Sequence, residues 1–204
     1  MKDRKIILIG GAPTVGKSTI AEAVAAHLNV PWISTDQVQE IMRTVANPSE
    51  IPNLFSDEGY SGEKFLTEFS AQEIVRMEME KGEATWPGVK KLIEEEYPWR
   101  KGFVVEGVAI LPHLVARDFS NTPHVKAVFL VDEDADRMRE VIFKRGLWDG
   151  ARTYPDEVKE KEVEWATLFS HLLKADVEKY GYPWVEVRKQ EDDTQAVLRK
   201  LDLG

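Results

Sequence analysis

Eight residues near the start of the chain, Gly11-Ala12-Pro13-Thr14-Val15-Gly16-Lys17-Ser18, follow the pattern G-x-x-x-x-G-K-[ST], and Thr19 comes directly after. The chemistry of such a loop is phosphate binding. Its glycines let the backbone bend so that successive N–H groups converge on a β-phosphate, and the helix that follows adds its positive N-terminal end. Lys17 has the length and charge to reach the β- and γ-phosphates, and the Ser18 hydroxyl is the type of ligand that Mg²⁺ takes in such loops. The spacing points to ATP as cofactor, held with Mg²⁺. Residues Gly11 through Thr19 are its binding loop.

Three further groups carry chemistry. Asp36 follows an apolar stretch, Val30–Ser34, that reads as a strand. In an open parallel sheet ligands gather at the carboxyl ends of strands, so Asp36 can accept a proton from an attacking hydroxyl and orient it toward the γ-phosphorus. The competing reading is a helix cap, because Ser34-x-x-Gln37 and Asp36-x-x-Gln39 both resemble capping boxes. Arg43, seven residues beyond Asp36, shares its helix face and can hold an anionic acceptor or lie in solvent. Glu106 closes the apolar run Gly102–Val105, where a carboxylate contacts Mg²⁺, polarises the acceptor, or pairs with a buried cation. Late in the chain Arg137, Arg139, Lys144, Arg145 and Arg152 concentrate positive charge. Arg139, Arg145 and Arg152 are candidates for holding the nucleotide phosphates, with Arg145 as a catalytic group stabilising charge on the transferring phosphoryl. A segment over 145–156 carrying these groups, with Gly146 and Gly150 as hinges, reads as a mobile lid. Salt bridging to Glu133, Asp136 and Glu140 is the alternative, and it suits Arg137 best.

These residues need elements to hold them. Lys5–Gly10 reads as a buried strand and Thr19–Leu28 as a helix, which is the strand-loop-helix context the loop requires. Asp36–Ala46 reads as a helix with Val38, Ile41, Met42 and Val45 on one face, and Asn47–Gly62 as a loop rich in Pro and Gly. A helix over Glu63–Lys81 and a shorter one over Val89–Tyr97, ending at Pro98, follow. The segment 47–102 thus reads as a helical insertion packed over the nucleotide core and forming an acceptor cap. Trp86, Tyr97 and Trp99 are aromatic candidates for lining it or for filling the core. Strands at Gly102–Gly107, Val125–Val131 and Trp184–Val187 alternate with helices at Pro112–Phe119, Asp134–Lys144, a long helix ending near Tyr180, and Thr194–Leu201. The pattern predicts one α/β domain over 1–204: a P-loop NTPase fold, three-layer α/β/α, with a five-stranded parallel sheet, a helical insertion and an arginine-bearing lid.

Composition narrows the class. The chain has 204 residues, 43% hydrophobic and 31% charged, as in ordinary globular proteins, and no apolar run approaches a membrane span. No secretory leader is read at the start, so the cytoplasm is the expected compartment. The absence of cysteine excludes disulfides and thiolate metal sites. A net charge of −9 argues against nucleic acid as partner, since that affinity rests on neutralising phosphates.

The chain resembles the P-loop kinases of small hydroxyl compounds, and most of all the 2-phosphoglycerate kinase family. The resemblance is carried by Gly10-Gly11-x-x-x-Val15-Gly16-Lys17-Ser18-Thr19-Ile20-Ala21, by Ile33-Ser34-Thr35-Asp36-x-Val38-x-Glu40-x-Met42-Arg43, and by Val105-Glu106-Gly107-Val108. A looser similarity runs to chloramphenicol phosphotransferase and zeta-type toxins, in which an aspartate after the second strand serves the acceptor and a late Arg-Gly-x-Arg-like segment serves ATP; Arg145-Gly146 and Arg152 are the counterparts here. What the resemblance implies is ATP-dependent transfer of the γ-phosphate to a hydroxyl of a small metabolite or antibiotic. The chain departs from the pattern at Gln39, where the family has arginine, and at Ala109, where it has histidine. Both departures remove groups that bind a phosphorylated acceptor. A nucleoside or nucleotide kinase is a related reading. A toxin-like or ATPase-type regulator without a small-molecule acceptor is the rival from another class. Neither an Asn-Lys-x-Asp element nor a Leu-Ser-Gly-Gly-Gln signature is present, which sets aside GTPases and ABC-type ATPases.

Overall fold

A computed structural model describes residues 4–95, 101–146, 151–188 and 190–203. Five strands form one sheet in the order β2-β3-β1-β4-β5, with all four pairings parallel. They are β1 (Lys5–Gly11), β2 (Trp32–Ser34), β3 (Gly102–Gly107), β4 (Val125–Val131) and β5 (Trp184–Glu186). Near-continuous Ile, Val, Leu and Phe in the three central strands fit burial on both faces, the signature of a parallel sheet covered by helices. Ile6 through Ile9, Val104, Val105 and Val128 through Val131 are completely buried.

The helices are α1 (Lys17–Leu28), α2 (Thr35–Arg43), α3 (Gly62–Glu68), α4 (Ala71–Glu94), α5 (Pro112–Phe119), α6 (Ala135–Arg145), α7 (Asp156–Tyr180) and α8 (Gln190–Lys200). Helix α1 packs against α8 and the sheet, while α4, α5 and α7 pack on one another and α7 meets β4. From β1 the chain leaves through α1 toward β2, and from β3 it leaves through α5 toward β4. The two connections run in opposite directions from neighbouring strands. They open a crevice at the strands' carboxyl ends, the position where open α/β sheets bind ligands.

The insertion departs from its expected helices. One helix over Glu63–Lys81 and another from Val89 are instead α3, a break at Phe69, and an unbroken α4 that runs through Pro87. The break is local chemistry. Phe69 is extended, and the Ser70 hydroxyl accepts from the Glu73 N–H while the Glu73 carboxylate accepts from the Ser70 N–H at 2.9 Å. That capping box starts a new helix three residues after the old one ends. Continuity through Pro87 comes from tertiary packing: Trp86, Val89 and Ile93 are all buried, and Gly88 lies against Met42 of α2. The burial outweighs the one backbone bond that proline removes. Trp86 belongs to this core, its indole N–H donating to Asp118 at 2.7 Å. Tyr97 and Trp99 lie outside the described residues.

Helix α2 is shorter than expected, ending at Arg43, with the Thr44 hydroxyl donating to the Ile41 carbonyl at 2.7 Å. Its expected apolar stripe is only half used, since Val38 is buried and Ile41 and Val45 are exposed. Arg4, just before β1, ties the insertion to the sheet by donating to the carbonyls of Ile93 at 3.1 Å and Glu95 at 2.6 Å. These are the unsatisfied carbonyls of the α4 terminus, and a buried guanidinium satisfies them. Among the described residues no helix is long and apolar enough to cross a membrane.

Because the Ser70–Glu73 box alone separates α3 from α4, Ser70→Ala should lower the unfolding free energy by about 1 kcal/mol in urea titration. An unchanged midpoint would mean that packing, and not the cap, sets the break.

Candidate active site

The register of the sheet assembles the site. Ser34 pairs with Glu106, Glu106 pairs with Ile9, and Gly107 pairs with Gly10, so the ends of β2, β3 and β1 form one row. From β1 the chain turns through Ala12–Gly16 into α1. Gly16 occupies the cap position with φ 79°, and α1 has neither a side-chain cap nor an acidic residue in its first turn. Its first backbone bond is Ile20 N–H to the Gly16 carbonyl at 3.1 Å. The N–H groups of Lys17, Ser18 and Thr19 are therefore the free donors of a bare, positively polarised helix end. The fit to phosphate is supported by a second observation: Thr14 is left-handed at φ 70°, almost fully buried, and its hydroxyl has no partner among the described residues. A β-branched residue in that backbone region stores strain, which is retained where a ligand site needs the shape.

Lys17 Nζ folds back onto the Ala12 carbonyl at 2.7 Å, ready to exchange it for a phosphate oxygen. Burial lowers its pKa, outweighing Glu106 and Asp36, which raise it, and Arg145 lowers it further. The Ser18 hydroxyl donates to Glu106 at 3.2 Å. Glu106 is 2% exposed, and its pKa is raised, chiefly by burial, against Lys17 and the hydrogen bonds of Ser34 and Ser18. A hydroxyl and a buried carboxylate in contact beside a phosphate loop are hard oxygen donors of the kind Mg²⁺ takes.

Helix α2 presents Asp36. Ser34, not Asp36, is the cap: its hydroxyl accepts from the Asp36 N–H at 3.3 Å, and Gln37 accepts from the Ser34 N–H at 3.2 Å to close the box. The Asp36 carboxylate is relieved of capping and faces the crevice. The turn is fixed from below, because a Cβ on Gly107 would lie 1.7 Å from the Thr35 hydroxyl oxygen and Gly107 has φ 152°. Only glycine lets β3 pass this close to the start of α2.

A cavity of about 360 Å³ opens over the loop, lined by Pro13, Thr14, Lys17, Asp36 and Arg145 at one end and by Gln39, Glu40, Arg43, Asp57, Glu78 and Lys81 at the other. The far end is a network. Lys81 Nζ pairs with Glu78 at 2.7 Å and with Asp57 at 3.1 Å, and Asp57 also pairs with Arg43. Arg43 in turn holds Glu40 and the Leu54 carbonyl, each at 2.8 Å. For Asp57, burial raises the pKa but Lys81 and Arg43 overcome it and hold the carboxyl below its ordinary range. Lys81, disfavoured by burial, is raised by Glu78 and Asp57.

Sequence reasoning and structure agree in bringing Lys17, Asp36, Arg43, Arg145 and Glu106 into one region. Arg43 is not a free anion holder, however, since three partners already occupy it. Arg139 is not at the cavity: it pairs with Glu160 of α7 and stacks 4.1 Å from the Phe143 ring centroid. Arg152 is exposed, with Nε donating to the Lys144 carbonyl at 3.3 Å. Arg139 lies on α6 and Arg152 on the short turn Ala151–Thr153, and each has a partner away from the loop. Arg137 pairs with buried Asp132 and not with Glu133, Asp136 or Glu140, while Glu133 takes Lys174. Gly150 lies outside the described residues. The far network of Asp57, Glu78 and Lys81 escaped sequence reasoning. Its one local signal was the three-residue spacing of Glu78 and Lys81.

The fold and the loop define a P-loop protein with the architecture of the small-molecule kinases. Shikimate kinase from Bacteroides thetaiotaomicron superposes with a TM-score of 0.60 at 16% identity, covering 98% of this chain and 99% of that one. A gluconokinase from Sinorhizobium meliloti gives 0.56 at 16% identity, covering 98% and 93%. In sequence, the chain is similar to curated 2-phosphoglycerate kinases. The protein from Methanocaldococcus jannaschii is 29% identical over 196 residues, 95% of this chain and 62% of the relative. That from Methanothermobacter thermautotrophicus is 30% identical over 152 residues, 72% and 50%. The chain thus spans about three-fifths of the length of the first of these relatives. No protein-family model matches it.

Burial of Glu106 has a consequence for stability. Its folded-state pKa lies above the ordinary value, so the folded protein holds a proton that the unfolded chain releases, and stability falls as pH rises from about 4.5 through the raised value. Glu106→Gln removes that loss. Thermal denaturation of the ligand-free protein should show a higher Tm than wild type at about pH 8 and a vanishing difference at about pH 4. A lower Tm at the upper pH would show that the charged carboxylate is stabilising.

Proposed function

We propose that the protein is an ATP-dependent phosphotransferase that moves the γ-phosphate to a hydroxyl of a small molecule. The observation that carries this reading is the placement of Asp36 in one cavity with Lys17, beside the bare start of α1. A carboxylate free of structural duty, facing a phosphate cradle, is the arrangement phosphoryl transfer to an alcohol requires. The similarity to 2-phosphoglycerate kinases over most of this chain supports the same class.

In this reading the loop amides and Lys17 hold the β- and γ-phosphates. The Ser18 hydroxyl and Glu106 would hold Mg²⁺, which would supply neutralisation of phosphate charge. The acceptor oxygen attacks the γ-phosphorus in line, the bond to the β–γ bridging oxygen breaks, and the carboxylate of Asp36 takes the hydroxyl proton. ADP and a phosphoester leave. Arg145, at the cavity rim, stabilises charge on the transferring oxygens. The segment 145–156 serves as lid, and 47–102 as acceptor cap. The enzyme acts in the cytoplasm.

The test is ³¹P NMR of the protein with Mg²⁺·ATP and pooled hydroxyl compounds, and the expected result is a new phosphoester signal. ADP and inorganic phosphate alone, at a rate no pool raises, would instead favour an ATPase-type regulator; transfer confined to nucleosides or nucleotides would make it a kinase of those. Asp36→Asn should lower kcat by roughly 10²–10⁴-fold while the KM for ATP stays within about threefold. An equal loss in both would return Asp36 to a structural role. Lys17→Ala should remove transfer altogether, and retention of turnover would contradict the phosphate assignment.

A further inference from the structure

The charges that remain once the nucleotide is assigned narrow the acceptor, an inference that rests on the kinase reading. Lys17 and Arg145 lie at the phosphate end of the cavity. Away from that end the wall carries Arg43 and Lys81 against Glu40, Asp57 and Glu78, two cations against three carboxylates. Both cations are spoken for. Asp57 bridges them, Glu78 takes Lys81 at 2.7 Å, and Glu40 takes Arg43 at 2.8 Å. Gln39 and Ala109, also in the wall, add no charge.

The partition continues outward. Arg43, Asp57 and Glu78 are shared with a second cavity of about 450 Å³, whose other lining residues include Glu58, Tyr60, Phe65 and Tyr154. That cavity adds a further carboxylate and no further cation. Carboxylates and paired cations offer hydrogen bonds to hydroxyl groups, and aromatic rings offer apolar faces to the C–H surfaces of polyols. With Arg145 given to the phosphate in this reading, an acidic acceptor entering here meets a net negative wall and must break an existing ion pair to gain a partner, losing in desolvation and repulsion what it gains.

We propose that the acceptor is a polyhydroxylated small molecule without an acidic group, bound against the Arg43–Asp57–Lys81–Glu78 wall with its reacting hydroxyl at Asp36. Such an acceptor differs from the anion that the curated 2-phosphoglycerate kinases are named for.

The test is calorimetric binding in the presence of Mg²⁺ and ADP, which requires no turnover, followed by initial rates with Mg²⁺·ATP on the same compounds. The panel holds glucose, myo-inositol and glucosamine against 2-phosphoglycerate, gluconate and shikimate. At least one of the first three should bind at least about tenfold more tightly than every acid. Asp57→Asn, which removes one carboxylate partner from each of Arg43 and Lys81, should improve the acids at least about threefold, with ADP affinity near wild type. An acid that binds wild type most tightly, or no binding by any of the first three, overturns the proposal. Selective binding of a neutral or amine-bearing polyol without transfer would overturn the kinase reading and leave the acceptor preference standing.

Discussion

The bare N-terminus of α1 is the constraint on which the rest depends. The helix start behind the loop presents N–H donors that nothing among the described residues satisfies, and here the cap is a left-handed glycine with no acid in the turn that follows. Such an end offers free donors and a positive pole, and an anion is the ligand whose charge and acceptors match. Thr14, strained and with its hydroxyl unpartnered among the described residues, belongs to the same loop. Lys17 and Glu106 are the electrostatic counterpart: burial pushes both toward neutrality, and each limits the shift of the other.

The sheet makes this end useful. Parallel register aligns Ser34 with Glu106 and Gly107 with Gly10, so three strand ends deliver a cap, a buried acid and a turn to one place. Ser34 caps α2, and that leaves the Asp36 carboxylate free of capping. The insertion supplies the opposite wall through α4, whose Glu78 and Lys81 meet Asp57 from the preceding loop. Arg4 fastens the far end of α4 to the start of β1, coupling the wall to the sheet.

What was legible in the sequence follows from how local each signal is. The loop, its strand and its helix are encoded within about twenty-five consecutive residues, and they appear where the pattern puts them. The apolar runs of β1, β3 and β4 mark a covered parallel sheet. Asp36 and Glu106 were readable because strand ends are where acids have few structural reasons to be. The arginines were not, because α6 distributes Arg137, Arg139 and Arg145 among a buried acid, a neighbouring helix and the cavity according to face and packing. The separate helices expected over Glu63–Lys81 and Val89–Tyr97 differ from α4 for a related reason: the buried surface of Trp86, Val89 and Ile93 keeps α4 intact across Pro87, which locally disfavours a helix. Asp57 pairs with Lys81 across an irregular loop, a contact that no periodicity announces.

Nucleotide binding tests the bare helix end most directly. Calorimetric titration with ATP, ADP and AMP in the presence of Mg²⁺ asks whether recognition begins at the β-phosphate, where the loop amides and Lys17 converge. The account predicts that ATP and ADP bind and that AMP binds at least about tenfold more weakly. Equal affinity for AMP and ADP, or no binding by any of the three, would contradict it.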